Sequence, residues 1–178
     1  DLLPKFSYIS KNTIQATFGC PYKCDFCAVI STQKKYLRRP VEDVIKEISE
    51  MNGNFVTFID PSPMEDKKYI KRLLREMIPL KKMWGGLATV KIGDDEELMD
   101  LCAESGCKGL LIGFESVEQD ALVEINKGFN VVEKYRNLCT RLHERGIAIN
   151  GTFIFGMDSD TKDTCLLYTS PSPRDSCA

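Results

Sequence analysis

Gly19-Cys20-Pro21-Tyr22-Lys23-Cys24-Asp25-Phe26-Cys27 places three cysteines within eight residues, three residues separating the first pair and two the second. Gly19 and Pro21 favour a loop over an element interior, because glycine reaches positive φ and proline lacks a backbone N–H. A short loop of this spacing can turn three thiolates toward one point, and thiolate sulfur is the soft ligand that selects zinc, copper(I) or iron–sulfur clusters. Structural zinc needs four closed ligands, usually from two paired knuckles. No second cysteine or Cys/His pair of knuckle spacing occurs elsewhere in the chain. Three cysteines on a cubane cluster instead leave one iron without a protein ligand, open to chemistry. A zinc knuckle completed by a distant residue and an accidental grouping are the alternatives.

The elements that must position this loop alternate regularly. Thr13 to Phe18 reads as a strand leading into the cysteines. Pro40 stands at the start of a helix whose Val41, Val44, Ile45 and Ile48 recur at helical spacing. Residues 54–59 are apolar and β-branched, a buried strand that ends at Asp60-Pro61-Ser62-Pro63. A helix follows over 64–78 with Ile70, Leu73, Leu74 and Met77 as its stripe. Trp84 to Val90 is the third strand, and Asp94-Asp95 can cap the helix that runs to Ser105 and stops at Gly106. Lys108 to Phe114 is the fourth strand, residues 118–126 and 131–145 are helices, and Ile147 to Phe155 is the fifth strand. Strand–helix alternation implies right-handed crossovers and a parallel sheet. The residues able to do chemistry follow strands, as they do in barrels, so a partial (β/α) barrel is expected rather than an open doubly wound sheet. Phe114, Phe153 and Phe155 read as barrel core, and Trp84 as packing at a strand start. Cys102, Cys107 and Cys139 read as buried free thiols, and the one histidine, His143, as part of a solvated helix face.

The chain has 178 residues, one domain's worth, with a formal net charge of −2 and a pI near 5.6. That balance gives no footprint for nucleic acid or an acidic membrane. No apolar run reaches bilayer length, the first residues do not read as a signal peptide, and eight cysteines without an extracellular address read as reduced thiols of the cytoplasm. Residues 1–12 read as a lead-in and 13–164 as the core. Residues 165–178 turn abruptly Ser/Pro-rich and read as a non-native or disordered tail, similar to a translated sequencing adapter behind a truncated gene, so Cys165 and Cys177 are set aside as ligands.

Cys20-x3-Cys24-x2-Cys27, with aromatic Phe26 before the last cysteine, resembles the signature of the radical S-adenosylmethionine (radical SAM) superfamily. The resemblance extends over roughly residues 13–160 and is strongest to the branch holding the methylthiotransferases and the cobalamin-binding radical SAM proteins. It implies a partial barrel of six strand–helix units, of which about five are present. It also implies that Cys20, Cys24 and Cys27 hold a 4Fe-4S cluster whose fourth iron chelates the methionine moiety of S-adenosylmethionine, and that Phe26 packs the adenine. Ile112-Gly113-Phe114-Glu115-Ser116 resembles the fourth-strand motif, which makes Glu115 the ribose contact. Asn126-Lys127-Gly128 falls where the family places a basic residue for the methionine carboxylate, a point-charge role for Lys127. Gly151 to Gly156 resembles the segment lining adenine and ribose, with a hydroxyl from Thr152 and close backbone approach at Gly156. In the family the second strand usually ends in a Gly-Gly-Glu-like motif that binds the methionine amine. Here Asp60-Pro61-Ser62-Pro63 stands in its place, so Asp60 and Ser62 take that role. The expected activity is reductive cleavage of S-adenosylmethionine to a 5′-deoxyadenosyl radical, for hydrogen abstraction or methyl or methylthio transfer on an unknown substrate. The partners implied are an electron donor such as flavodoxin or ferredoxin, and cobalamin on a domain outside this chain.

Overall fold

Val56, Phe58, Trp84, Leu110 and Ile112, from three strands, are buried side by side, and the helices that connect those strands cover them. The computed structural model describes residues 11–32, 35–161 and 164. In chain order the elements are β1 (Thr13–Ile14), β2 (Thr17–Phe18), α1 (Val29–Thr32), β3 (Leu37–Arg38), α2 (Val41–Glu50), β4 (Phe55–Phe58), α3 (Lys67–Met77), β5 (Met83–Ala88), α4 (Glu96–Glu104), β6 (Cys107–Glu115), α5 (Gln119–Glu124), α6 (Tyr135–Glu144) and β7 (Ala148–Phe153). Short 3-10 turns at Ile78–Leu80, Val90–Asp94 and Val132–Lys134 join them. The main sheet has the order β1-β4-β5-β6-β7 with every pair parallel.

That order advances without reversal, as a barrel's does. A doubly wound sheet would turn back at a switch point. Crossovers of one hand then put the helices on a single face. On that face Ile14, Val41, Val44, Ile48, Leu73, Leu74, Leu98, Met99, Leu138 and Leu142 close one core. Of the two side-chain caps among the described residues, the one at α4 is the one expected and the one at α3 is new. Asp66 accepts from the Tyr69 N–H at 2.9 Å, and Asp95, rather than Asp94, accepts from Leu98 at 3.0 Å. Gly106 ends α4 at φ +94, and a Cβ there would overlap the Lys82 carbonyl oxygen.

Three details differ from the sequence reading. The strand expected over 13–18 is two strands, β1 in the main sheet and β2 paired antiparallel with β3. Phe114 is buried among the helices, edge-on to Tyr135, rather than in the barrel interior. Phe155 is 56% exposed, and Phe153, stacked on Phe114, is half-exposed, because β7 is an edge of the described sheet. Trp84 packs near the start of β5 as expected, fully buried, its indole N–H donating to Ser105 Oγ at 3.0 Å. Cys102 and Cys107 are buried as expected, and burial pushes the Cys107 thiol up to about 12. His143 is exposed. The tail and its two cysteines lie outside the described residues.

Candidate active site

After β1 the chain turns out of the main sheet, where Asp60, just past the end of β4, offers its carboxylate to the backbone. Asp60 Oδ1 accepts from the N–H groups of Ala16 (2.9 Å) and Thr17 and from Thr17 Oγ1 (2.7 Å). Those donors would otherwise pair in a ladder, so the chain bends and delivers β2, then the cysteine loop, onto the C-terminal ends of the parallel strands. Asp60 is fully buried, and its Oδ2 has no hydrogen-bond partner. Burial raises the carboxyl's affinity for a proton, against the bonds from Thr17 and Ala16 that lower it. Gly19 turns the loop at φ +84, where a Cβ would overlap the Lys35 carbonyl.

Within the loop the Cys27 N–H donates to the Cys24 carbonyl at 3.1 Å. Cys24 is 7% exposed, and Cys20 and Cys27 are half-buried. Burial pushes the Cys24 thiol up, Lys127 pulls it down, and Cys20, Cys27 and Glu115 push it up, so all four lie within electrostatic reach of its sulfur. Among the described residues no three Cys, His, Asp or Glu side chains converge on a single-ion site, and the zinc alternative has no support. A cubane cluster takes each cysteine on a different iron, so its ligands stand farther apart than those of one ion.

Beside the loop, β6 ends in a register shift between Gly113 and Glu115. Glu115 sits at φ +65, a conformation rare outside glycine. Buried Asn130 holds this bulge by donating to the Gly113 and Phe114 carbonyls, both at 3.0 Å. The bulge aims the Glu115 carboxylate at Lys127 Nζ, 2.6 Å away, with both side chains under a tenth exposed. Gly113 makes room for the pair: a Cβ there would overlap the carboxylate and lie 2.7 Å from Lys127 Nζ. The ammonium also stands 5.7 Å over the Phe26 ring. The loop and α5 are tied together by Asn126 Nδ2, which donates to the Asp25 carboxylate at 2.8 Å, and by the Asp25 N–H on the Ile125 carbonyl at 3.2 Å.

Of the residues picked from sequence, the fold therefore gathers Cys20, Cys24, Cys27, Phe26, Glu115 and Lys127. Thr152 on β7 stands level with Gly113, beside the pair. Gly156 lies farther on at φ +87, its N–H donating to Asp160 Oδ2 at 2.8 Å and its Cβ position facing open space. Ser62 is buried, with its Oγ 3.2 Å from Glu65 Oε1. Glu65 was missed, together with its partners Tyr22 and Thr89 and the stack of Tyr22 on Phe129. No local pattern marks Glu65, because Thr89 and Tyr22 lie 24 and 43 positions away.

The chain belongs to the radical SAM superfamily, whose profile matches residues 14–166. Members of this family use a 4Fe-4S cluster and S-adenosylmethionine. The chain is 33% identical over 156 residues to bacteriochlorophyllide d C-12(1)-methyltransferase of Chlorobaculum tepidum, covering 84% of this chain and 34% of that protein. It is 29% identical over 155 residues to an anaerobic magnesium-protoporphyrin IX monomethyl ester cyclase of Cereibacter sphaeroides, covering 82% and 25%. The radical S-adenosylmethionine methyltransferase TsrM of Kitasatospora setae, solved with cobalamin and a 4Fe-4S cluster, shares the fold at a TM-score of 0.76 and 22% identity, over 86% of this chain and 30% of that one. The chain thus spans between a quarter and about a third of the length of these proteins.

Proposed function

We propose that residues 13–164 form the core of a radical SAM enzyme in which Cys20, Cys24 and Cys27 hold the 4Fe-4S cluster. The observation that carries this reading is a three-thiol loop on the C-terminal end of a parallel sheet, with one sulfur buried beside a carboxylate–ammonium pair. Bound there, the cluster supplies the electron that cleaves the sulfonium of S-adenosylmethionine into methionine and a 5′-deoxyadenosyl radical.

The chain's own residues hold and orient the cosubstrate. An ionised carboxylate is acceptor-only, so Glu115 takes the ribose hydroxyls. Lys127 offers its remaining donors to the methionine carboxylate while keeping its bond to Glu115. The half-exposed ring of Phe26 covers the adenine, Thr152 adds a hydroxyl, and the open backbone at Gly156 admits the nucleoside edge. At the end of β4, Ser62 and the unpaired Asp60 Oδ2 are the acceptors for the methionine amine. Fixing both ends of the cosubstrate holds the scissile bond in one place, which lowers the entropic part of the barrier.

For the outcome of the reaction we favour methyl transfer with cobalamin carried outside this chain, supported by the methyltransferase relatives and by the cobalamin in TsrM. An electron donor of the flavodoxin or ferredoxin kind and a cytoplasmic setting complete the proposal. Among the described residues no helix is long and apolar enough to cross a membrane. Anaerobic reconstitution with iron and sulfide, followed by assay of 5′-deoxyadenosine under reducing conditions, tests it. Wild-type chain forms the product, and Cys20→Ala, Cys24→Ala and Cys27→Ala each abolish it. Product formation retained in those variants would overturn the assignment.

A further inference from the structure

We infer that Tyr22 and Glu65 are positioning residues whose hydrogen bond ties the interior of the cysteine loop to the ends of β4 and β5 and so sets where the Cys24 sulfur stands. What that position serves rests on the cluster-binding reading above; the contact itself does not. Tyr22 lies between Cys20 and Cys24, and its hydroxyl donates to Glu65 Oε2. The other oxygen, Oε1, accepts from Ser62 Oγ at 3.2 Å, just beyond β4, and from Thr89 Oγ1 at 2.9 Å, just beyond β5. One carboxylate therefore joins the loop to two strand ends.

The ring of Tyr22 is held as well as its oxygen. It stacks on Phe129 with centroids 4.3 Å apart, and Lys91 Nζ stands 4.8 Å from its centre. Between Phe18, the last residue of β2, and Val29, the first of α1, the loop has no strand or helix of its own. Its orientation therefore depends on side-chain tethers such as this one. The Asp25–Asn126 contact is a second tether on the α5 side, and Cys24 lies between the two. A ligand set kept in place by surrounding hydrogen bonds is the general requirement for a site that must present fixed geometry.

The test uses the full chain, reduced and free of iron. Alkylation of each cysteine by iodoacetamide is followed by peptide mass spectrometry in wild type, Tyr22→Phe, Glu65→Ala, Glu65→Gln and the double variant Tyr22→Phe/Glu65→Ala. Tyr22→Phe keeps the ring stack and removes only the donor. Cys102 and Cys107, buried in the core, report whether the fold has loosened as a whole. The expected result is Cys24 labelling faster by about tenfold in Tyr22→Phe and in Glu65→Ala, the factor equivalent to about 1.4 kcal/mol of lost hydrogen bonding. Cys102 and Cys107 keep their wild-type rates, the double variant matches Glu65→Ala because Tyr22→Phe removes only a bond that Glu65→Ala has already removed, and Glu65→Gln, which keeps an acceptor, recovers part of the protection. After reconstitution the same two single variants lose iron to a chelator faster than wild type. Unchanged Cys24 labelling, a parallel rise at Cys102 and Cys107, or additive effects in the double variant would each overturn the inference. A wild-type chain that takes up no iron and sulfide would instead overturn the proposed function, while the labelling still decides the role of the Tyr22–Glu65 contact.

Discussion

Glu115 and Lys127 stand at 2.6 Å in a place where water reaches less than a tenth of either side chain. Removing two charges from water is costly, and only their mutual contact and further hydrogen bonds offset it. Deleting one partner is therefore worse than deleting both. Lys127→Met is expected to lower the unfolding free energy by about 3 to 5 kcal/mol, since it strands a buried carboxylate. Glu115→Gln/Lys127→Met recovers much of that loss. Urea titration of the two variants checks this, and equal stability in both would mean that the pair is solvated. Gly113→Ala acts in the same direction, because its Cβ intrudes on the carboxylate and the ammonium together. Sequence picks out both charged residues, each as a separate expected contact to the cosubstrate. Their pairing is not legible there, because it depends on the bulge at the end of β6 and on the turn after α5 that returns Lys127 to the strand.

The strand–helix alternation came through at the scale of elements, since apolar spacing of two or of about 3.6 marks each segment locally. The exception is instructive. Residues 13–18 have the composition of one strand, yet Asp60 captures the Ala16 and Thr17 N–H groups and splits it. Nothing within 13–18 reveals a carboxylate 43 or 44 positions away. Asp60→Ala takes the acceptor from three buried donors, the Ala16 and Thr17 N–H groups and the Thr17 hydroxyl, and is expected to lower stability by about 3 kcal/mol or more, at about 1 to 3 kcal/mol for each unsatisfied group. Asp60→Asn, which keeps an accepting oxygen, should lose less. Urea midpoints of the two variants, compared with wild type, decide it. If Asp60→Ala unfolds like wild type, the bend is held by something other than this carboxylate.

The described molecule is one-sided. The helices cover the face that carries Val56, Phe58, Trp84, Leu110 and Ile112, and residues of opposite parity, among them Phe55 and Ile59, face away from that core and are 43% and 53% exposed. Apolar side chains standing open on that side offer a surface to an apolar probe. The chain is expected to bind the dye ANS under native conditions. Ile59→Thr should weaken that fluorescence while moving the unfolding free energy by no more than about 0.5 kcal/mol, the usual range for exposed positions. Undiminished fluorescence in Ile59→Thr would place the dye elsewhere.

By itself the sequence determined the three thiols and their spacing, the succession of parallel strands and helices, and with these the superfamily. All are local patterns, set by residue type and by periodicity over a few turns. Only the tertiary structure decided that Glu115 faces Lys127, that Tyr22 bonds to Glu65 and that Asp60 bends the first strand. Such contacts depend on strand register and on the paths of the crossovers, which bring together residues 12 to 44 positions apart that no local pattern relates.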